Sequence, residues 1–275
     1  MAANPSSQVS VDPGERLSGL KTRGLIGPES EQAYRSVLSS IYAPRLAAVG
    51  FDPKFGVYAK DDPGKQQLRQ QLVELLALEA HDDALRAELK SAADKWLGGD
   101  KQALDPGFRA TALTVLASDG GLPAAKMLVE RALSSEDPTV REAALGAAST
   151  TGRPEVADYL LNLSDKRMRS FDRLGLIFGL AQTAGTRDLT GDWIFRNYDK
   201  LAQGNGIFIS SRLPAALGAQ CGVEQASRIE SVLGPAVKKA DVGLLSFQRT
   251  VESVRNCGIL KQAKAPEIAA ALNAK

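Results

Sequence analysis

Apolar residues recur at helical spacing along most of the chain. Val37, Leu38, Ile41 and Tyr42 make one stripe, and Leu68, Leu72, Leu75 and Leu76 the next. Leu85, Leu89, Ala92, Ala93 and Trp96 follow, then Ala124, Met127, Leu128 and Leu133. Further stripes run through 156–163, 171–181, 189–201, 213–217, 226–233 and 244–254, with Ile268 and Leu272 at the end. Repeats at i, i+3, i+4 and i+7 put one face of a helix into a core. Strand-like alternation is confined to Ile207-Phe208-Ile209. The pattern therefore predicts an all-α fold. Its helices are expected to stack as antiparallel pairs in a superhelical α-solenoid array.

The breaks between stripes carry helix-start chemistry. Asp62-Pro63, Asp105-Pro106 and Asp137-Pro138 each place an acceptor side chain before a proline at the first helical position. The aspartate satisfies free backbone N–H groups, and proline lacks the one that would be orphaned there. Two of these starts share a longer pattern, Asp-Pro-x-apolar-Arg, at Asp105–Arg109 and again at Asp137–Arg141. Asp105 and Asp137 are expected to cap, and Arg109 and Arg141 to reach the preceding turn or the next repeat. Asp119-Gly120-Gly121-Leu122-Pro123 separates two helices inside that period. Gln203-Gly204-Asn205-Gly206 reads as a flexible inter-helix loop. Residues 1–28, polar and broken by Pro5, Pro13 and Gly14, read as a flexible lead-in or linker. The helical-repeat domain is expected over 29–275.

Composition narrows the function. Of 275 residues, 44% are hydrophobic and only 5% aromatic, which suits packed alanine- and leucine-rich helices. A net charge of +2 gives no footprint for nucleic acid or an anionic membrane surface. No apolar run is long enough to span a bilayer, and residues 1–28 lack the apolar core of a signal peptide. Compartment is left open. One histidine, His81, and two cysteines without a CxxC spacing cannot build the usual zinc site, and no Gly-x-Ser-x-Gly elbow accompanies His81. No catalytic, metal or cofactor residue is therefore assigned in this chain. His81 reads as a solvated helix-end residue. Cys221 and Cys257 read as buried free thiols in preference to a disulfide. The cluster Lys166-Arg167-Met168-Arg169 with Arg173 reads first as a solvated helix entry with Arg169 paired to a neighbouring acid. Trp96 and Trp193 sit in stripes and are expected in the core.

Several segments, in order, resemble one family. Asp137-Pro138-Thr139-Val140-Arg141-Glu142-Ala143-Ala144-Leu145 resembles a HEAT repeat. Over about 46–272 the chain is similar to the helical, ERAP1-like C-terminal domain of M1-family zinc aminopeptidases. Val49-Gly50-Phe51 resembles the Leu-Gly-Trp entry of that family, and Gln67-Leu68-Arg69 its first helix. Gly99-Asp100 before Asp105–Arg109 resembles its gly-asp break. Met168-Arg169-Ser170-Phe171-Asp172 resembles its Arg-x-x-Asp helix start. Trp193–Leu201 and Thr250–Cys257 resemble its Trp-x-Phe-x-x-Asn-Trp-x-x-Leu and Thr-x-Glu-x-Ile segments.

The resemblances imply a HEAT/ARM-like, bowl-shaped superhelix and a domain without catalysis of its own, because the zinc motif His-Glu-x-x-His and the Gly-x-Met-Glu-Asn segment are absent. The implied partners are an M1 catalytic domain, in cis or trans, and a peptide substrate; zinc would belong to the parent enzyme. The implied role is to cap the catalytic cleft and shape a peptide chamber while the parent releases N-terminal amino acids. Arg169 or Arg173 would then be candidates to meet a peptide carboxylate, since guanidinium binds carboxylate bidentately. The alternatives are a stand-alone HEAT-like scaffold for a protein or peptide partner, and a peptide-binding decoy.

Overall fold

A computed structural model describes the backbone of residues 7–241 and 243–274, and the side chains of these residues except 7–10 and 202–210. The described residues form eleven α-helices and no strand. They are α1 (Ser7–Thr22), α2 (Glu31–Val49), α3 (Pro63–Glu74), α4 (Asp83–Leu97), α5 (Arg109–Leu133) and α6 (Pro138–Ser149), then α7 (Pro154–Asn162), α8 (Ser170–Gln182), α9 (Arg187–Arg212), α10 (Val223–Ala240) and α11 (Leu244–Asn273). Short 3₁₀ turns cover Pro28–Ser30, Pro106–Phe108 and Leu213–Ala219. A π-helical turn, Leu75–Ala80, continues α3. None of these helices is long and apolar enough to cross a membrane.

The stripes become the contacts between helices. Ala112, Ala117, Ala125 and Ala132 of α5 are fully buried, as are Ala144 and Ala148 of α6. Small side chains let the two helices approach closely, so the core needs few aromatics. Ala226, Ile229, Leu233 and Val237 of α10 line one face and pack with Phe247, Val251 and Val254 of α11 in one buried cluster. The last helix returns to the first ones. It contacts α2 and the turn before it, Leu272 is buried, and Asn273 Nδ2 donates to Ser30 Oγ at 3.1 Å.

Aspartates hold the helix starts. Asp62 accepts from Lys65 N, and Asp137 Oδ1 from Thr139 N at 2.8 Å and Val140 N at 3.5 Å. Asp105 Oδ1 accepts from Gly107 N while Oδ2 accepts from Gly56 N at 3.1 Å, so one carboxylate both caps a turn and holds the segment before α3. Phe51 packs edge-on to Phe108 there, with centroids 5.2 Å apart. A further start of the same design is Asp82-Asp83-Ala84-Leu85-Arg86, where Asp82 accepts from Leu85 N at 2.9 Å. The break at 119–123 is a bend inside α5, made at Gly121 (φ 59°, ψ −144°), a conformation that costs an L side chain dearly.

Arginines hold the helix ends. Arg69, 1% exposed, donates from Nε to Gly50 O and from Nη2 to Val49 O, both at 2.8 Å, and pairs with Asp61. Arg86 Nη1 donates to Ala77 O at 2.7 Å, with Nη2 on Asp119. Arg141, also buried, donates to Ala132 O at 3.1 Å, to Arg167 O at 2.7 Å and to Asp172 Oδ2 at 3.0 and 2.6 Å. Arg153 donates to Ser118 O at 3.1 Å. Arg187 donates to Gln182 O and to Thr22 O, joining the end of α1 to the start of α9. The last turn of a helix has no internal donors for its carbonyls, and these guanidinium groups supply them from the next element.

Three expectations change. Residues 7–22, expected within a flexible lead-in, are helical. Val11 is buried, and Gly14 N donates to Tyr42 OH at 2.9 Å. Pro13 did not prevent this because the helix packs on α3 and tertiary burial outweighs propensity. The loop expected at Gln203-Gly204-Asn205-Gly206 lies within the backbone span of α9.

The cysteines, expected as free thiols, form a disulfide. Cys221 and Cys257 are bonded with Cα atoms 5.0 Å apart. The cause is local: Gly222 N donates to Val254 O at 3.2 Å, and a Cβ on Gly258 would stand 2.6 Å from Gly222 Cα. Two Cys-Gly dipeptides thus let the turn before α10 lie directly on α11.

Losing the Asp137 cap through Asp137→Ala is expected to cost about 1 kcal/mol. An unchanged urea midpoint would contradict the cap. Intact mass without reductant should be two hydrogens below the reduced chain. Reduction should lower stability by about 4 kcal/mol, the chain-entropy value for a loop of this length; an unshifted unfolding curve after reduction would remove the bridge from the fold.

Burial pushes the Asp172 carboxyl up, but the Arg141 side chain and Arg169 N–H outweigh it and hold the group below the ordinary aspartate range. The sign follows directly: this stabilisation is complete above the unfolded-state pKa and fades as pH falls through the lower folded one. Arg141→Met should cost about 3 kcal/mol or more at neutral pH, because it strands a buried carboxylate. The variant should also lose the acid-side decline due to Asp172. Urea midpoints at neutral and acidic pH check both, and parallel pH profiles for the two proteins would sink the assignment.

Candidate functional site

The basic cluster at the start of α8 is mostly committed to structure. Arg167 bridges Glu130 at 2.8 Å and Asp165 at 2.8 Å, and both carboxyls are held down to about 2, chiefly by hydrogen bonds from Arg167. Arg173 Nη2 donates to Leu163 O at 2.6 Å, so this guanidinium closes the end of α7 and does not stand ready for a ligand. Arg169 is exposed, and its backbone N–H donates to Asp172. Asp172, three residues on, takes the Arg169 backbone N–H together with the Arg141 guanidinium. Arg109 lies 4.7 Å over the buried Trp96 ring, and the Arg109 Nε has no hydrogen-bond partner among the described residues. Trp193 is half-buried against the core. Arg141 and the Arg169 backbone N–H meet on Asp172 Oδ2, a structural contact at the start of α8.

One concave feature lies where several helices end. A cavity of about 490 Å³ is lined by Lys21 and Thr22 at the end of α1, Glu74 and Glu79 around the π turn, His81, and Ser118 where α5 bends. Thr150, Thr151 and Gly152 after α6 and Gln182–Gly185 after α8 complete its wall. Bonding from i to i+5 in the π turn brings Glu74 and Glu79, five residues apart, to this same cavity. Inserting a π turn into a helix is costly and recurs at functional sites.

His81 lies next to that turn in the left-handed region (φ 57°) and is half-buried, not solvated as the sequence implied. Burial, then the positive charges of Arg35, Arg86 and Lys21, hold it below its ordinary range, so the ring is neutral at neutral pH. Glu79 accepts from Ser18 Oγ at 2.8 Å, Lys21 Nζ at 3.2 Å and Tyr34 OH at 2.8 Å. Lys21 also pairs with Glu31 at 3.2 Å. Nothing in the sequence pointed to this cavity, since its lining comes from five separate turns. The nearest signal was the recurrence of Ser and Thr at stripe ends.

Among the described residues no three metal-binding side chains come together. The cavity presents hydroxyls, the carboxylates of Glu74 and Glu79, the cations of Lys21 and Arg86, and a neutral imidazole.

Comparison with known proteins matches most of the helical array to one family. No curated protein is detectably similar to the chain. The profile of the ERAP1-like C-terminal domain matches residues 14–256, from within α1 to within α11. It thus takes in most of the stripes, the aspartate-capped starts and the cavity wall, and the chain belongs to the ERAP1-like C-terminal domain family.

Proposed function

We propose that this chain is the non-catalytic helical part of an M1-type metallo-aminopeptidase. It would cap the zinc-bearing catalytic domain and shape the chamber in which peptides lose their N-terminal residues. The observation that carries this reading is the family match over residues 14–256. Phe55 and Val57, 52% and 49% exposed on the segment before α3, support it as bare apolar surface for a neighbouring domain. The cavity at the helix ends gives such a wall a polar recess. Arg169 stays a candidate peptide contact on exposure alone, whereas Arg173 is spent on Leu163. The Cys221–Cys257 bridge favours a parent that works in an oxidising compartment.

The test is a titration of this chain against a separately expressed M1 catalytic segment from the same source, with hydrolysis of peptides of graded length followed in parallel. Saturable association that shifts length preference, weakened by Phe55→Ser, is the expected result. A folded chain that neither associates nor changes hydrolysis would leave the HEAT-like scaffold for another partner.

A further inference from the structure

Asp105 and Asp137 open two repeats with the same motif but use their carboxylates differently. Asp137 Oδ1 accepts from Thr139 N, Thr139 Oγ1 and Val140 N, all within its own helix start. Asp105 caps with Oδ1 alone, on Gly107 N at 2.9 Å. Its Oδ2 accepts instead from Gly56 N at 3.1 Å, 49 residues earlier in the chain. One oxygen of this carboxylate therefore serves a helix start, and the other serves a distant loop.

That loop is pinned along its length. Asp105 N donates to Pro53 O at 2.7 Å, and Phe55 N to Gln102 O at 3.0 Å. Gly56 turns the chain at φ 76°, where an L side chain is strained. Ala59 N donates to Gly56 O at 3.1 Å, and Gln66 Nε2 to Tyr58 O at 3.1 Å. The Arg69 guanidinium lies 3.4 Å over the Tyr58 ring. Inside this frame the side chains of Phe55 and Val57 stay about half exposed. Ordering a loop costs conformational entropy, and ordering it around two exposed apolar side chains gains no matching burial within this chain. A recess of about 290 Å³ opens beside them, walled by Phe55, Tyr58, Pro106 and Phe108, with Gln66 and Gln70. A fixed knob beside a fixed hole suits a rigid protein–protein contact.

We propose that residues 53–60 form a preorganised docking loop, with Phe55 and Val57 as its anchors and Asp105 as the residue that positions them. Its occupant is the M1 catalytic domain, which would offer an apolar recess to Phe55 and an apolar side chain to the hole. This choice of partner rests on the reading of the chain as part of an M1-type aminopeptidase, and the family match spans the whole loop. A loop ordered before contact loses little freedom on docking, so the carboxylate of Asp105 acts on affinity without touching the partner.

The test separates the cap from the loop. Asp105→Asn keeps an acceptor for Gly107 N, since asparagine caps as well as aspartate, but its single oxygen cannot also serve Gly56. Its urea midpoint should stay close to that of the unsubstituted chain. Chymotrypsin, which cuts after aromatic residues, should cleave Asp105→Asn at Phe55 several-fold faster, because cleavage tracks local opening. The full chain is then titrated against the separately expressed catalytic segment. Val57→Ser should weaken association about tenfold, and Asp105→Asn about fivefold. Asp137→Ala, which loses a cap elsewhere, should leave association unchanged. Bound catalytic segment should protect Phe55 from chymotrypsin.

Association that ignores both Val57→Ser and Asp105→Asn would overturn the docking loop and leave the chain's place in the enzyme standing. Equal cleavage of Asp105→Asn and the unsubstituted chain would overturn the positioning role of Asp105. No association of the unsubstituted chain would overturn the loop's partner together with the aminopeptidase reading. Self-association that Val57→Ser abolishes would overturn the choice of partner in favour of a second copy of this chain.

Discussion

Helix ends dominate the physics of this fold. Each of its many helices leaves about four carbonyls without internal donors, and a chain of short helices multiplies that debt. Arginine settles it here from outside the helix. Arg69 serves the end of α2, Arg141 the end of α5, Arg173 the carbonyl that closes α7, and Arg187 the ends of α8 and α1. A guanidinium has five N–H groups in a fixed fork, so one side chain can serve two carbonyls and a carboxylate together. Arg141 does this, touching Ala132, Arg167 and Asp172. Each such contact also fixes the position of the next helix, so the satisfaction of one helix end and the stacking of its successor are one event.

The same geometry produces the cavity. The ends of α1, α6 and α8, the bend of α5 and the close of the π turn all reach one concave region. Arg187 holds the α1 and α8 ends there, and Arg153 holds the α5 bend. What remains on the wall mixes hydroxyls and the carboxylates of Glu74 and Glu79 with the cations of Lys21 and Arg86 and the His81 imidazole.

Much of the fold was legible in the sequence, and the legible parts share a cause. The stripes and the Asp-Pro starts are local, so spacing along the chain specifies them. Asp62, Asp105 and Asp137 cap the turns and helices they precede. The start at Asp82 follows the same pattern without proline, and for that reason the sequence pattern passed over it. Features set by distant contacts were not legible. α1 forms because it packs on α3, although Pro13 and Gly14 argue locally against it. Arg173 looked available because Leu163 O lies across a turn whose path the sequence does not reveal. The cavity draws on residues from 21 to 185, so no window of sequence contains it.

The disulfide illustrates the boundary between these two kinds of information. Neither cysteine alone indicates a partner, and spacing cannot supply a Cα separation of 5.0 Å. Yet each cysteine is followed by a glycine, and the glycines are what let the two backbones meet: Gly222 N reaches Val254 O, and Gly258 leaves no Cβ to hold the turn away. The bridge ties the turn before α10 to α11, the helix that returns to α2 through Leu272 and Asn273. An array that closes on its first helices must hold its last ones in register over many repeats, and small angular errors at each helix pair accumulate along it. A covalent bond near the far end fixes α10 against α11 after those errors have built up. The arginines fix several steps of the array, and the bridge helps determine where the last step lands.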